Sequence, residues 1–187
     1  MNTDLDDKMI EDYGIIAHMA LPAGWVEDAH NADEENDIAQ VRCFRAPEFA
    51  EVALYLRFSG RANGEETRRA WLELMQSVVD ERMYASDIED IAGIVGDIAD
   101  TEIFEVTDSR VRDWNGKRVL FIEGRFKEHG WRSIHLFVDI DGDGMYTQQI
   151  TFGAPNMVYE AFVQTAVCAM QSVSWKPTVV KSVPSTD

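Results

Sequence analysis

The residues most suited to chemistry lie in the segment DIDGDG, which places Asp139, Asp141 and Asp143 at alternate positions. Three carboxylates at this spacing, followed by Gly144, match the first half of a calcium-binding EF-hand loop. The twelfth position of such a loop supplies a bidentate glutamate, whereas here it is Ile150, which cannot bind a metal. The flanking residues alternate with a period of two, which predicts strands and not the helices of an EF-hand. We expect a β-hairpin turn, with a loosely held cation on the three aspartates as the alternative.

The other residue types that carry chemistry do not form a recognisable constellation. The four histidines lack the spacing of a zinc site, and Cys43 and Cys168 lie in apolar runs that indicate buried free thiols. His135 alternates with Phe137 in a predicted strand, so we interpret it as a histidine packed on a sheet face. A hydrolase that used His135 would need a deep pocket lined by this residue and by carboxylates. Nucleophile elbows and glycine-rich phosphate loops are absent from the sequence, so we expect no catalytic residues and no cofactor.

The charge of the chain limits its binding partners. It contains 34 acidic and 17 basic residues, which gives a formal net charge of −17. Such a surface repels phosphate backbones and anionic lipids, so we expect neither nucleic-acid nor membrane binding. A protein partner, favourably a basic one, is compatible with this charge, although the same charge also serves solubility alone. The N-terminal segment MNTDLDDKMIEDYG is acidic and has no apolar core, which indicates a cytoplasmic location.

Hydrophobic periodicity and turn residues divide the chain into one domain with two flanking segments. We expect a flexible acidic arm at residues 1–12, a single domain at 13–176 and a flexible tail at 177–187. Residues 86–100 have helical spacing, but two glycines weaken it, so this segment is either a short helix or a turn-rich connector. The predicted strands are 13–22, 23–29, 38–46, 52–60, 101–114, 117–126, 131–140 and 145–152, and the predicted helices are 65–84 and 156–175.

The order of these elements predicts the fold class. Tight turns such as Asn115-Gly116 join neighbouring strands, which implies antiparallel pairing. Helices that are segregated from the strands along the chain are typical of an α+β architecture. We therefore expect a largely antiparallel sheet of about seven or eight strands, with the helices packed against it.

Three segments of the chain resemble the PsbP-like superfamily of α/β/α sandwiches. They are LPAGW after the first strand, WNGKRVLFIEGRF in the strand meander, and TFGAPNMVYEAFVQTAVCAMQSVSW at the end of the domain. The resemblance extends from about Tyr13 to Trp175. This superfamily includes the extrinsic photosystem II subunit, a Ran-binding nuclear-import factor and bacterial lipoproteins. The resemblance implies a binding or scaffold role and no shared catalytic residues, so no site residue is transferred from it.

These observations lead to a functional expectation with one alternative. Trp114 and Trp131 lie at hairpin ends, where exposed aromatic side chains would mark a partner-binding surface. We expect a non-enzymatic protein-interaction or scaffold domain with an acidic surface, and homodimerisation through an open sheet edge is compatible with it. The alternative is a protein that binds a small ligand or a divalent cation, either in a pocket between sheet and helix or at the turn Asp139–Asp143.

Overall fold

A computed structural model of the chain describes residues 5–28, 40–58 and 61–177. None of its helices has the length and apolar character needed to cross a membrane within these residues. The helices are α1 (Glu65–Met75), α2 (Ala85–Glu89), α3 (Ala92–Val95) and α4 (Asn156–Gln171), with a 3-10 helix at Gly96–Ala99. The strands are β1 (Leu5–Tyr13), β2 (Ile16–Pro22), β3 (Val26–Glu27), β4 (Gln40–Ala46), β5 (Phe49–Phe58), β6 (Phe104–Trp114), β7 (Lys117–Phe126), β8 (Trp131–Asp139), β9 (Thr147–Pro155) and β10 (Ser174–Trp175).

The main sheet has seven strands in the order β3-β4-β5-β9-β8-β7-β6, and every neighbouring pair is antiparallel. This confirms the predicted α+β class and the predicted strand number. The β6–β7 turn has positive φ at Asn115 (54°) and Gly116 (81°), as a type I′ hairpin turn requires. The DIDGDG segment connects β8 to β9, so the predicted hairpin is also confirmed.

The two faces of the main sheet pack against different layers. One face carries Phe121 and Phe152 and packs against α4, through residues such as Met170. The opposite face carries Leu120 and Ile122, which pack against α1, α2, α3 and the 3-10 helix. Because side chains alternate between the two faces of a strand, both sides of β7 are buried between layers. The architecture is therefore an α/β/α sandwich. Helix α4 forms one helical layer, and α1, α2, α3 and the 3-10 helix, which all precede β6 in the chain, form the other.

A second, three-stranded sheet has the order β1-β2-β10. The expectation of a flexible arm at residues 1–12 is therefore wrong for residues 5–12, which belong to β1. Pairing with β2 satisfies the backbone of this segment, and Ile10 is buried while its neighbour Met9 is exposed. Tyr13 is buried as well, and Glu11 and Asp12 between the two buried side chains are exposed. Of the predicted tail, residues 178–187 lie outside the described residues.

Gln148 connects the small sheet to the main one. Its Oε1 accepts a hydrogen bond of 2.7 Å from the backbone N–H of Ile15, and its Nε2 donates one of 3.3 Å to the carbonyl of Tyr13. The side chain is buried, and it lies directly under Gly14, which has a φ of +56°. A side chain at Gly14 would collide with this amide, so the turn and Gln148 fit each other.

Replacement of Gln148 by leucine should weaken the attachment of the small sheet. The variant leaves the buried N–H of Ile15 without a partner, and a buried unsatisfied group costs about 1–3 kcal/mol. We expect the free energy of unfolding in urea to fall by about 2 kcal/mol. Gln164→Leu, on α4, is a control in which no backbone partner is lost. An equal loss in both variants would contradict the bridging role of Gln148.

The first helix is shorter than predicted. The sequence predicts a helix over 65–84, but α1 ends at Met75, whose carbonyl accepts a 2.7 Å hydrogen bond from Nη1 of Arg118. The following segment runs along the edge strand β6, where the N–H groups of Asp80 and Met83 donate to carbonyls of that strand. An exposed sheet edge has unpaired backbone groups, and this pairing outweighs the helical propensity of the segment. The segment 86–100 forms the short helices α2 and α3 and the 3-10 helix, as one of the two alternatives for it predicted.

Candidate functional site

Two carboxylates of the DIDGDG turn accept hydrogen bonds from backbone N–H groups in or next to the same turn. One oxygen of Asp139 accepts a hydrogen bond from the N–H of Gly142 (2.9 Å) and the other from the N–H of Gly144 (2.8 Å). Burial raises the pKa of Asp139, and the N–H groups of Gly142 and Gly144 act to lower it. The Trp71 indole acts in the same direction as these N–H groups, although its Nε1 forms no hydrogen bond with the described residues. Asp143 accepts from the N–H of Met145 at 2.9 Å. These contacts are those of a self-capped turn.

Helix α1 holds the same turn from outside. Nε of Arg68 donates to the carbonyl of Asp143 (2.7 Å), and Nδ2 of Asn63 donates to the carbonyl of Gly144 (2.8 Å). No group of three or more potential metal ligands converges anywhere in the described parts of the chain. A cation bound by Asp139, Asp141 and Asp143 would have to compete with the backbone donors of the turn. That cation site stays a prediction.

The two tryptophans predicted to contact a partner differ in their exposure. The expected exposure of Trp114 is wrong, because its ring is buried (8% exposed) and Nε1 donates to the carbonyl of Met170 at 2.9 Å. The Trp175 indole in turn donates to the carbonyl of Trp114 at 2.7 Å, which attaches the end of the domain to the β6–β7 hairpin. Trp131 is half-buried at the start of β8, beside Gly153. The role of Trp131 in partner binding stays a prediction.

His135 is buried on the face of the main sheet that packs against α1, α2 and α3. Its Nδ1 lies 3.0 Å from Oγ1 of Thr151 and 3.1 Å from Nε2 of Gln149, and its Nε2 lies 2.7 Å from Oγ of Ser133. If the Gln149 amide donates to Nδ1, the proton of the neutral ring is on Nε2 and is donated to Ser133. Burial lowers the pKa of His135 to about 3, so the ring is neutral at physiological pH. The prediction of a packed histidine describes this environment.

The contact between Ser133 and His135 does not form a competent nucleophile. A serine nucleophile needs a histidine that accepts its proton, and a group that stabilises the resulting imidazolium. Here burial disfavours the imidazolium, and the groups at Nδ1 are an amide and a hydroxyl and not a carboxylate. Ser133 is itself buried. The contact between Ser133 and His135 is therefore a buried hydrogen bond that contributes to packing on this face of the sheet.

A cleft of about 370 Å³ opens above His135. Helix α3 and the 3-10 helix form one wall of the cleft, and strands β5 and β9 form the opposite wall. The hydrolase hypothesis required such a pocket with His135 and carboxylates, but the only carboxylate among its described lining residues is Asp97, on the wall opposite the sheet. Sequence reasoning identified His135 and missed the cleft, because the residues that line it come from several segments that are distant along the chain. They are Arg57, Asn63, Gly93–Ile98, Phe126, His135, Phe137, Thr147 and Gln149.

A second depression, here called the acidic groove, lies between α1 and the segment that follows it. It has a volume of about 400 Å³ and an apolar floor formed by Ala70, Leu74 and Met83. Tyr84 is 77% exposed at its margin, and Val78 nearby is also exposed. The sequence predicted a continuous helix here, which would have left no groove. The remaining side chains that line it are Glu73, Ser77, Glu81, Arg82, Asp87 and Asp90.

Of the four carboxylates of the acidic groove, those of Glu73, Glu81 and Asp90 are exposed and that of Asp87 is half-buried. Elsewhere Asp108 pairs with two arginines, and Glu123 pairs with Arg132 at 3.1 Å. None of the four acids that line the groove forms an ion pair with any residue that the structure describes. Arg82 also lines the groove, and its Nη2 donates to the carbonyl of Thr107. The groove therefore has an excess of negative charge around an apolar floor, with four carboxylates and one guanidinium.

Comparison with known proteins identifies the fold. No protein-family model and no curated protein sequence matches the chain. Among solved structures, the solution structure of cyanobacterial PsbP (CyanoP) from Synechocystis sp. PCC 6803 is similar, with a TM-score of 0.57 and 13% identity over 90% of this chain and 92% of that one. The chain has a PsbP-like fold. Protein PA94 of Pseudomonas aeruginosa, of unknown function, has a TM-score of 0.49 and 10% identity over 91% of this chain and 98% of its own.

The PsbP-like fold confirms the resemblance drawn from the three sequence segments. Two of those segments contain structural contacts: the WNGK turn carries the left-handed Asn115, and the C-terminal segment contains α4 and Trp175. The side chain of Asn115 donates to the carbonyls of Gln171 and Val173, so the two segments contact each other. These contacts concern folding and do not identify a ligand.

Proposed function

We propose that this PsbP-like domain is a non-enzymatic interaction module that binds a basic, partly apolar segment of another protein in the acidic groove. The observation that supports it is the set of four carboxylates, of Glu73, Glu81, Asp87 and Asp90, that surround an apolar floor and form no ion pair with the described residues. Asp87 also accepts a 2.8 Å hydrogen bond from the backbone N–H of Tyr84. The cytoplasmic location, the lack of nucleic-acid or membrane partners and a homodimeric state stay predictions from the sequence.

Charge complementarity favours a basic occupant. Like charges at this spacing repel one another, and a lysine or arginine side chain placed among them would reduce that repulsion. The apolar floor and the exposed Tyr84 would contact the aliphatic stems of such side chains, or an apolar residue between them. A segment of a protein provides both features together, whereas a metal ion would use only the carboxylates.

The acidic groove can be tested with a labelled peptide that alternates lysine and leucine. We expect saturable binding by fluorescence anisotropy, which weakens about fivefold to tenfold in the double variant Glu73→Gln/Glu81→Gln, since each exposed charge contributes up to about 1 kcal/mol. Raising the salt concentration should reduce the affinity of the unaltered protein for the peptide by a larger factor than that of this variant.

The matched control removes the same charge elsewhere. Glu48 and Glu51 are exposed and line neither depression, so Glu48→Gln/Glu51→Gln should leave the affinity for the peptide within about twofold. A peptide with glutamate in place of lysine should not bind. Equal losses in the two double variants would show a general effect of net charge and would overturn the proposed groove.

The cleft above His135 favours a second candidate function, the binding of a small ligand. Its volume lies within the range of known ligand pockets, and its lining is mainly polar, with Arg57, Asp97 and Gln149 beside a few apolar side chains. This role is compatible with an interaction module, because the two depressions lie on different parts of the helical layer.

A further inference from the structure

The cleft above His135 has groups of opposite charge on its two walls. Arg57 is on the sheet wall, on β5, and Asp97 is on the helical wall, in the 3-10 helix. Both side chains are exposed at the cleft, and neither forms an ion pair with the other or with any described residue. We propose that this cleft binds a free α-amino acid with an apolar side chain. The proposal rests on the small-ligand role of the cleft and is independent of the acidic groove.

The arrangement of charges favours a zwitterion over a simple anion or cation. A guanidinium binds a carboxylate well, so Arg57 provides the site for the carboxylate of the ligand. A net charge of −17 would oppose the approach of an anion, but a zwitterion has no net charge to be repelled. Asp97, on the opposite wall, provides the site for the ammonium group. A ligand that has only one of these charges would leave the other wall without a partner.

A smaller, apolar part of the cleft lining provides the contact for an apolar side chain. Ile94 and Phe126 are half-buried there, whereas Ile98 and Phe137 are buried, so Ile94 and Phe126 present the apolar surface that a ligand would touch. A cavity of about 370 Å³ lies at the small end of the range for ligand pockets, which suits one compact molecule. Apolar lining contributes about 25 cal/mol for each Å² of ligand surface that it covers, so a larger apolar side chain should bind more tightly.

Gln149 provides polar recognition inside the cleft. Its Nε2 lies 3.1 Å from Nδ1 of His135 and donates to it when the ring proton is on Nε2, which leaves Oε1 directed away from the ring. Its Oε1 accepts no hydrogen bond from the described residues, and so it can accept one from an ammonium group. His135 is a positioning residue in this arrangement, since it is buried beneath the amide and is held by Ser133 and Thr151.

Calorimetric titration of the full chain with L-phenylalanine and two analogues tests the proposal. The analogues are 3-phenylpropionate, which lacks the ammonium group, and 2-phenylethylamine, which lacks the carboxylate. We expect saturable binding of L-phenylalanine and affinities at least about tenfold lower for both analogues, because each loses one charge-assisted contact. Glycine, which has no apolar side chain, should not bind measurably.

Two variants assign the charges to their walls. Arg57→Gln should weaken L-phenylalanine about tenfold without weakening 2-phenylethylamine, and Asp97→Asn should weaken L-phenylalanine without weakening 3-phenylpropionate. Arg69→Gln and Glu89→Gln remove exposed charges outside the cleft and should leave all affinities unchanged. All four positions are exposed, so the variants should keep the circular-dichroism spectrum and melting temperature of the unaltered protein.

Failure of the amino-acid proposal can be distinguished from failure of the small-ligand role and of the acidic groove. Binding of 3-phenylpropionate as tight as that of L-phenylalanine, or equal effects of the cleft and control variants, would overturn the amino-acid proposal and leave a small-ligand role. Absence of saturable binding of L-phenylalanine at millimolar concentration would also overturn the amino-acid proposal. Peptide binding in the acidic groove should be unaffected by Arg57→Gln, and a loss there would contradict the independence of the two sites.

Discussion

Acidification should destabilise this protein through His135, and His135→Gln should remove that part of the pH dependence. The pKa of His135 is lowered to about 3 by burial, whereas an unfolded histidine has a pKa of about 6.5. The unfolded state therefore binds a proton first as the pH falls. Stability is fully present above about pH 6.5 and is lost progressively toward pH 3. Each pH unit within this window corresponds to about 1.4 kcal/mol, so about 3 kcal/mol should be lost between pH 6.5 and pH 4.

Urea unfolding at a series of pH values checks this prediction. Because many carboxylates also titrate in the same window, the informative quantity is the difference in pH slope between the unaltered protein and His135→Gln. The amide of glutamine can still contact Ser133 and Thr151 but has no charged form. His18→Gln is the matched control, since His18 is exposed and only borders Glu11. Identical slopes for the unaltered protein and His135→Gln would show that the ring is not buried in its neutral form.

Gly124→Ala should cost about 3 kcal/mol, because β6 and β7 approach too closely there for any side chain. A Cβ at Gly124 would lie 2.4 Å from the carbonyl oxygen of Glu105 and 2.4 Å from the ring of Phe104. The carbonyl belongs to the backbone of the neighbouring strand, and the ring packs edge-on against Phe126, so neither can move cheaply. The measurement is the free energy of unfolding in urea.

A second glycine variant separates this steric effect from the general effect of replacing glycine. Gly64 precedes α1 with a φ of −64°, and no atom lies within 4 Å of its Cβ position. Gly64→Ala should therefore change stability by less than about 1 kcal/mol. A comparable loss in both variants would show that the contact at Gly124 is not the cause. Phe104 also lies beside the His135 ring, so a disturbance at Gly124 should reach the floor of the cleft.

Local patterns in the sequence predicted most of the main sheet. The predicted strand 117–126 is β7, in which Val119 and Phe121 lie on one face and Leu120 and Ile122 on the other, because the period of a strand is two and both faces are buried here. Asn115-Gly116 predicted a hairpin because few other residues adopt positive φ at both positions. The small sheet was missed, since the charged residues of β1 have the composition of a disordered arm. Its stability depends on pairing with β2 and on Gln148, which is 133 residues away from Ile15.

Candidate site residues were harder to predict because their setting depends on contacts between distant segments. The acidic groove exists because residues 76–84 pair with the edge of β6 and do not continue α1. No local signal distinguishes these outcomes, since helical propensities differ by less than about 1 kcal/mol per residue and edge pairing outweighs them. Similarly, Trp114 was assigned to the surface from its position at a hairpin end, but α4 covers it.

The sequence by itself determined the α+β class, the hairpins and the negative charge, because each depends on residue identity or on spacing over a few positions. It also showed that the DIDGDG segment lacks the twelfth ligand of an EF-hand. Only the tertiary structure decided which charges have partners. It showed that the four carboxylates of the acidic groove form no ion pair with the residues that it describes, and it placed Arg57 and Asp97 on opposite walls above a neutral His135. Ion pairing and burial are set by neighbours in space, and the order of residues along the chain does not specify those neighbours directly.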